Sequence, residues 1–324
     1  MTNSIQTGVQ LDHYLIEGVA ARSGMASIFR ATDLHSNRAV AIKIPHPELQ
    51  KDPAFLARFR REKRIGAKLD HPGVMKVYAD NDHSGAYMVM EWVSGKLLRQ
   101  LLNQQQPKLS QERAINITLG VCDALDYVHR NGVIHRDLKP ENVMVDAEDR
   151  VKLIDFGIAC NTEARRITFA KVPDTMGTPD YISPEQVKGE RGDARSDLYA
   201  LGVMLYEMLT GKAPFDGPNP FAVMNDRLVN NPVPPRELNP AISAQLQEII
   251  YRALERNPRN RYASAHEFAW DLRHQDQVGV ADRRELYDWR ERRTSWTKRI
   301  LSYAALVLIP CMVFGLMVLV AHHS

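Results

Sequence analysis

His135-Arg136-Asp137-Leu138-Lys139-Pro140-Glu141-Asn142 is the stretch on which the fold turns, and Asp155-Phe156-Gly157 follows thirteen residues after Asn142. Well upstream lies Val40-Ala41-Ile42-Lys43-Ile44, an apolar run read as a strand. Side chains alternate along a strand, so Val40, Ile42 and Ile44 share one face while Ala41 and Lys43 share the other. A lysine in so apolar a run either snorkels to water or meets an anion. Further on, Asp52-Pro53 opens a helix, with a capping carboxylate followed by proline at the first helical position. Phe55, Phe59, Ile65 and Leu69 recur along it at helical spacing, and Glu62 falls on the same stripe. A carboxylate on a core-facing stripe needs a partner, because an unpaired buried charge is costly. Lys43 and Glu62 can satisfy each other.

From about residue 14 to 95 short apolar runs read as strands around that one helix. After Ser110 longer helical stretches dominate, among them residues 114–130 and 197–210, the second closed by Gly211 with Pro214 beyond. A strand-rich half followed by a helix-rich half predicts an α+β chain of two lobes with a cleft between them. There is no internal repeat and no low-complexity tract.

These motifs together resemble the eukaryotic-type (Hanks-type) serine/threonine protein kinase family, in which an HRDLKPEN-like loop and a DFG triplet follow a VAIK strand in this order. The resemblance covers roughly residues 14–273 and has the look of a bacterial, membrane-anchored member. It implies the two-lobed protein kinase fold, with a β-rich N-lobe over 14–93 and a helical C-lobe over 94–275. ATP and Mg²⁺ are the implied cofactors, with Mn²⁺ as an alternative metal. Lys43 would hold the α- and β-phosphates and be positioned by Glu62. Asp137 would orient the substrate hydroxyl and accept its proton, while Asn142 and Asp155 would bind the metal. Their carboxylate and amide oxygens are hard donors, suited to Mg²⁺ rather than zinc. Lys139 would neutralise the γ-phosphate. A lysine two residues after Asp137 resembles the serine/threonine kinases, so the expected partners are proteins bearing Ser or Thr hydroxyls.

Tyr87-Met88-Val89-Met90-Glu91-Trp92-Val93 resembles the family's hinge, with Met90 as gatekeeper. Backbone groups of Glu91 and Val93 would bond the adenine, and Ile28, Ala41 and Met144 would sandwich it. Gly177-Thr178-Pro179 and Ser183-Pro184-Glu185 resemble the end of an activation segment, with Ser183 where the family usually has alanine. Glu185 would pair with Arg261, Asp197 would brace the catalytic loop, and His71-Pro72 fits the turn after the regulatory helix. Arg136 would pair with a phosphate on the activation segment. Thr168 or Thr175 is the expected autophosphorylation site, modified between two molecules in a transient homodimer, whereas Thr178 would contact Asp137.

The departure from the family lies in the glycine-rich loop. Ala21, Ser23 and Ala26 stand at its three glycine positions, and Gly24-Met25 follows the form common in bacterial members. Ser23 and Gly24 are still expected beside the phosphates, with a poorer fit because added side chains restrict the backbone. The alternative readings are a nucleotide-binding pseudokinase or scaffold and, more remotely, a small-molecule phosphotransferase.

Composition agrees with a globular body: 44% of the 324 residues are hydrophobic and 25% charged. A net charge of +3 argues against a nucleic-acid partner. Cys122, Cys160 and Cys311 are too far apart for a metal-ligand spacing. Residues 1–13 read as a polar leader without a secretory signal, 14–275 as the globular domain and 276–299 as a basic juxtamembrane linker. Residues 300–321 carry no charge, and as a helix would reach about 33 Å, against a hydrocarbon core of about 30 Å. Membrane lipid is therefore an expected partner of residues 300–321. Pro310 is tolerable in such a helix, and Cys311 with Gly315 offers small-residue spacing for helix pairing. The basic flank Arg290, Arg292, Arg293, Lys298 and Arg299 predicts a single-pass protein of the inner membrane with its globular part cytoplasmic, ending in the tail 322–324.

Overall fold

The computed structural model describes residues 7–79, 84–104, 108–155 and 179–281. The chain opens with β1 (Gln10–Leu11), β2 (Tyr14–Arg22), β3 (Ala26–Asp33) and β4 (Arg38–Pro45). Helices α1 (Pro47–Gln50) and α2 (Pro53–Gly66) follow, and β5 (Met88–Glu91) completes an antiparallel sheet in the order β1-β2-β3-β4-β5. β1 lies within the stretch read as a leader, so the sheet begins earlier than residue 14. Asp12 fastens that edge by accepting from the Ser84 N–H and the Tyr87 hydroxyl.

Strand alternation sorts the sheet into two faces. Phe29, Ile42 and Val89 stand in one cross-strand row and pack with Tyr14, Ile16, Val40 and Tyr87. On the other face run the rows Ile28, Lys43, Met88 and Arg30, Ala41, Met90. α2 covers this second face. Asp52 caps it, accepting from the Ala54 N–H at 2.8 Å, as expected. Its buried stripe is Phe55, Phe59, Glu62 and Gly66. Ile65 is only half-buried, which corrects the expected stripe, and Leu69 is buried beyond the helix end. Val77 crosses so close that a Cβ added at Gly66 would come 2.6 Å from its Cγ2, so no larger residue fits there.

The second lobe begins with β6 (Lys96–Leu97), α3 (Leu98–Gln104) and α4 (Gln111–Arg130), followed by β7 (Val143–Val145) and β8 (Val151–Leu153), which join β6 in a small sheet. Then come α5 (Pro184–Val187), α6 (Ala194–Thr210), α7 (Pro220–Val229), α8 (Pro235–Leu238), α9 (Ala244–Ala253) and α10 (Ala265–Arg273). α6 is apolar all round because it is buried all round, and α4 and α9 pack upon it. It starts at Ala194 under an Asp193 cap rather than at Asp197, which sits one turn in, and it ends in left-handed Gly211.

The lobes are stitched by the loop after α2. Gly73 accepts from the Leu153 N–H and the Leu153 carbonyl accepts from Met75. His71 stacks on Tyr127 of α4 and approaches Asp123 at 3.3 Å. Among the described residues no helix is long and apolar enough to cross a membrane; the span expected over 300–321 lies outside them.

Candidate active site

Lys43 comes from the middle of β4, where alternation turns it to the face that α2 covers. Its Nζ donates to Glu62 Oε1 at 2.9 Å and to Asp155 Oδ1 at 3.1 Å. One ammonium thus holds a carboxylate from each side of the cleft. Burial works against the Lys43 charge, but Asp155 and Glu62 outweigh it and keep its pKa above the ordinary value. Burial would also raise Asp155, yet Lys43 more than offsets this and holds that carboxyl low. For Glu62 burial wins: with Lys43 opposing and the second carboxylate adding, it is pushed up to about 7. Of the two, Asp155 carries the settled negative charge.

Asp137, Lys139 and Asn142 sit together on one loop. Lys139 Nζ donates to Asp137 Oδ2 at 2.8 Å, and Asn142 Nδ2 donates to the Asp137 carbonyl at 2.7 Å and to its Oδ2 at 3.2 Å. With its amino group committed there, Asn142 has its side-chain oxygen to offer a cation. Ile154 N donates to the Asn142 carbonyl, which draws Asp155 alongside. The donor set of an amide oxygen and an ionised carboxylate fits Mg²⁺, with no thiolate or imidazole in it.

The loop itself is held by Asp197, 1% exposed, which accepts from the His135 N–H (2.9 Å), the Arg136 N–H (2.7 Å) and His129 Nε2 (2.7 Å). Arg136 has φ 64°, a left-handed conformation costly for a side-chain-bearing residue. Asp197 does what was expected of it. Burial, then the nearby cations Arg191 and Arg61, hold the Arg136 guanidinium below its ordinary pKa.

Ala41 and Met90 are buried against half-buried Ile28, Val93 and Ile154, forming the apolar wall expected for a flat base. Met144, on β7 between Leu97 and Lys152, is half-buried. Glu91 differs in part from its expected role. Its N–H is spent on the Lys76 carbonyl at 2.8 Å, so only its carbonyl can serve a base. Its side chain is gripped by Lys152 through contacts of 2.7 and 2.6 Å, a pairing across 61 residues that no local spacing announces.

The turn between β2 and β3 is built without the family's glycines. Ser23 Oγ accepts from the Met25 and Ala26 N–H groups, and the Ser23 N–H donates to the Ala26 carbonyl at 2.9 Å. That N–H is therefore taken within the turn. Gly24 stands at the tip, where an added Cβ would meet nothing within 4 Å. His46 pins the turn from below, its N–H to the Met25 carbonyl and its ring to the Ser23 carbonyl.

The expected Glu185–Arg261 pair is present, doubly bonded at 2.8 and 2.7 Å and buried on both sides. Sequence reasoning missed Arg99 of α3. It binds Glu141 (2.8 Å), Glu207 (2.7 Å) and the Tyr181 hydroxyl, tying the end of the catalytic loop to α6. Phe156, Gly157, Gly177 and the threonines 162, 168, 175 and 178 lie outside the described residues.

A family model described as the protein kinase domain matches residues 22–271. A probable serine/threonine-protein kinase of Streptomyces coelicolor is 42% identical over 264 residues, covering 80% of this chain and 39% of that protein. Serine/threonine-protein kinase PknB of Mycobacterium tuberculosis is 39% identical over 266 residues, covering 81% of this chain and 42% of that protein. The chain thus spans about two fifths of the length of these curated relatives. Among solved structures, the kinase domain of Mycobacterium tuberculosis PknI superposes with a TM-score of 0.65 at 27% identity, covering 84% of this chain and 100% of that one. Rad53 in complex with AMP-PNP gives 0.64 at 25%, covering 79% and 64%.

Proposed function

This chain belongs to the protein kinase family, and from that premise we propose that it is an active serine/threonine protein kinase, transferring the γ-phosphate of ATP to protein hydroxyls. The observation that carries this is the single ammonium of Lys43 held between Glu62 and Asp155, with Asp137 fixed beside them by Lys139 and Asn142. Asn142 and Asp155 would hold Mg²⁺, which when bound neutralises phosphate charge. Lys43 grips the non-transferred phosphates. Asp137, its Oδ2 already oriented by two donors, receives the proton of an incoming serine or threonine hydroxyl. Lys139 offsets the charge on the group in flight. The chemistry is positioning plus charge stabilisation, and this chain supplies both from residues already in place.

The same reading extends to regulation and location. Arg136, with Arg61 and Arg191 close enough to depress its pKa, forms a cationic cluster that a phosphate on Thr168 or Thr175 would neutralise. Modification passes between two copies in a transient dimer. Residues 300–321 anchor the chain to the cell membrane with the kinase domain on the cytoplasmic side, a reading supported by the length and uncharged composition of that segment and by its basic flank.

The test is incubation with labelled ATP, Mg²⁺ and a generic basic protein, beside Lys43→Met and Asp137→Ala. Wild type should label substrate at least about 100-fold faster than either variant. Equal labelling by all three would remove the reading. Mass spectrometry of the same samples should find phosphate on Thr168 or Thr175 in wild type alone. Neither threonine modified would remove the regulatory part.

A further inference from the structure

The peptide joining Arg136 to Asp137 is the last backbone unit before the proposed base, and both ends of Arg136 are held by side chains. Asp197 takes its N–H. Its carbonyl accepts from Gln186 Nε2 at 3.1 Å, across 50 residues of chain. On its other side the Gln186 amide accepts, through Oε1, from the Ser183 N–H at 3.1 Å and from the Ser183 hydroxyl at 2.9 Å. The orientation of this amide is unambiguous. A backbone N–H can only donate and a backbone carbonyl can only accept, so oxygen must face Ser183 and nitrogen must face Arg136.

We propose that Gln186 is a positioning residue for phosphoryl transfer: its amide ties α5 to the Arg136 carbonyl and so fixes the direction in which Asp137 projects. The inference rests on the kinase reading above. α5 is a firm post for such a tie. Pro184, Glu185 and Val187 are buried, and Glu185 is locked to Arg261. Arg136, by contrast, sits at φ 64°, a conformation its partners must maintain. Without the amide, the 136–137 peptide can rotate while Asp197 still holds the N–H groups before it. The base would then swing while the nucleotide cleft stays as it is. Ser183 has a part in the same device. Its hydroxyl, absent from the alanine usual in the family, supplies the second donor that keeps the Gln186 oxygen turned away from the loop.

The chemistry of the tie gives it a signature. Gln186→Leu removes the donor altogether. Gln186→Glu keeps the length and still accepts from Ser183, but at neutral pH it sets a carboxylate oxygen against the Arg136 carbonyl. Protonating that carboxyl restores a donor. The experiment measures single-turnover phosphoryl transfer for wild type, Gln186→Leu and Gln186→Glu between about pH 8 and about pH 4.5, a range that reaches the ordinary glutamate pKa of about 4.3 closely enough to protonate a large share of the carboxyl. Dividing each variant by wild type at the same pH removes the titrations they share. At about pH 8 both variants should be slowed about tenfold, with KM for ATP and the thermal midpoint close to wild type. Toward acid the Gln186→Glu ratio should climb several-fold while the Gln186→Leu ratio stays flat. Wild-type rates in Gln186→Leu would overturn the proposal. So would a Gln186→Glu ratio that does not move with pH, whether or not the variants are less stable, because a merely structural role has no need of the proton. A wild type without transfer activity would defeat the kinase reading itself, a separate outcome.

Discussion

Glu185 and Arg261 stand 76 residues apart and meet through two hydrogen bonds with both side chains buried. Burial alone would raise the Glu185 carboxyl, but the Arg261 guanidinium and then the Ser196 hydroxyl outweigh it and hold its pKa below the ordinary 4.5. A carboxyl depressed by folding stabilises the native state above its unfolded pKa, and that contribution is lost as pH falls through the folded value. Glu185→Gln should therefore lose about 3 kcal/mol at neutral pH, since the arginine is left buried without its counter-charge. The gap to wild type should narrow below about pH 4, where wild type loses the pair too. Urea denaturation over a pH series reads this directly, and a gap constant into acid would refute it. This pair was legible through its family resemblance. The partners of Ser183 and Gln186 were not, because nothing in the spelling of residues 183–186 tells which distant carbonyl their side chains will reach.

At the scale of elements, local rules carried far but not to the ends. Asp52-Pro53 marked the start of α2 correctly because a cap acts on the turn beside it. Asp197 was mistaken for the start of α6, since a buried aspartate bracing a remote loop looks in sequence like a cap at the edge of an apolar run. Ile65 looked like core, yet Gly66 took the position because Val77 crosses too closely for anything larger. The same kind of close approach governs the crossing of α6 and α9. A Cβ added at Gly202 would lie 2.6 Å from the Ala253 Cβ, a short, stiff neighbour on another helix that cannot fold away. Gly202→Ala must push the helices apart, at an expected cost of about 1–3 kcal/mol that outweighs alanine's better helix propensity. Chemical denaturation should show the midpoint fall without a change in slope. A midpoint at or above wild type would show that the crossing can relax.

For the molecule as a whole, the anchor proposed at residues 300–321 makes a simple prediction. Wild type should sediment with membranes and resist alkaline or high-salt washing, whereas a chain ending at residue 299 should move to the soluble fraction and keep its kinase activity. Recovery of the shortened chain with membranes in equal proportion would sink the anchor. The sequence alone determined the inventory of the cleft. Asp137, Lys139, Asn142 and Asp155 were named through the resemblance that their contiguous motifs carry, and only the pairing of Lys43 with Glu62 could be read from strand and helix periodicity. Tertiary structure alone decided which groups hold those residues still: Gln186 on the Arg136 carbonyl, Lys152 on Glu91, Arg99 on Glu141 and Glu207. The reason is physical. Spacing along the chain governs contacts within a turn or a strand pair, whereas pairs 42 to 108 residues apart meet only when the packing of whole elements brings their backbones within a side chain's reach.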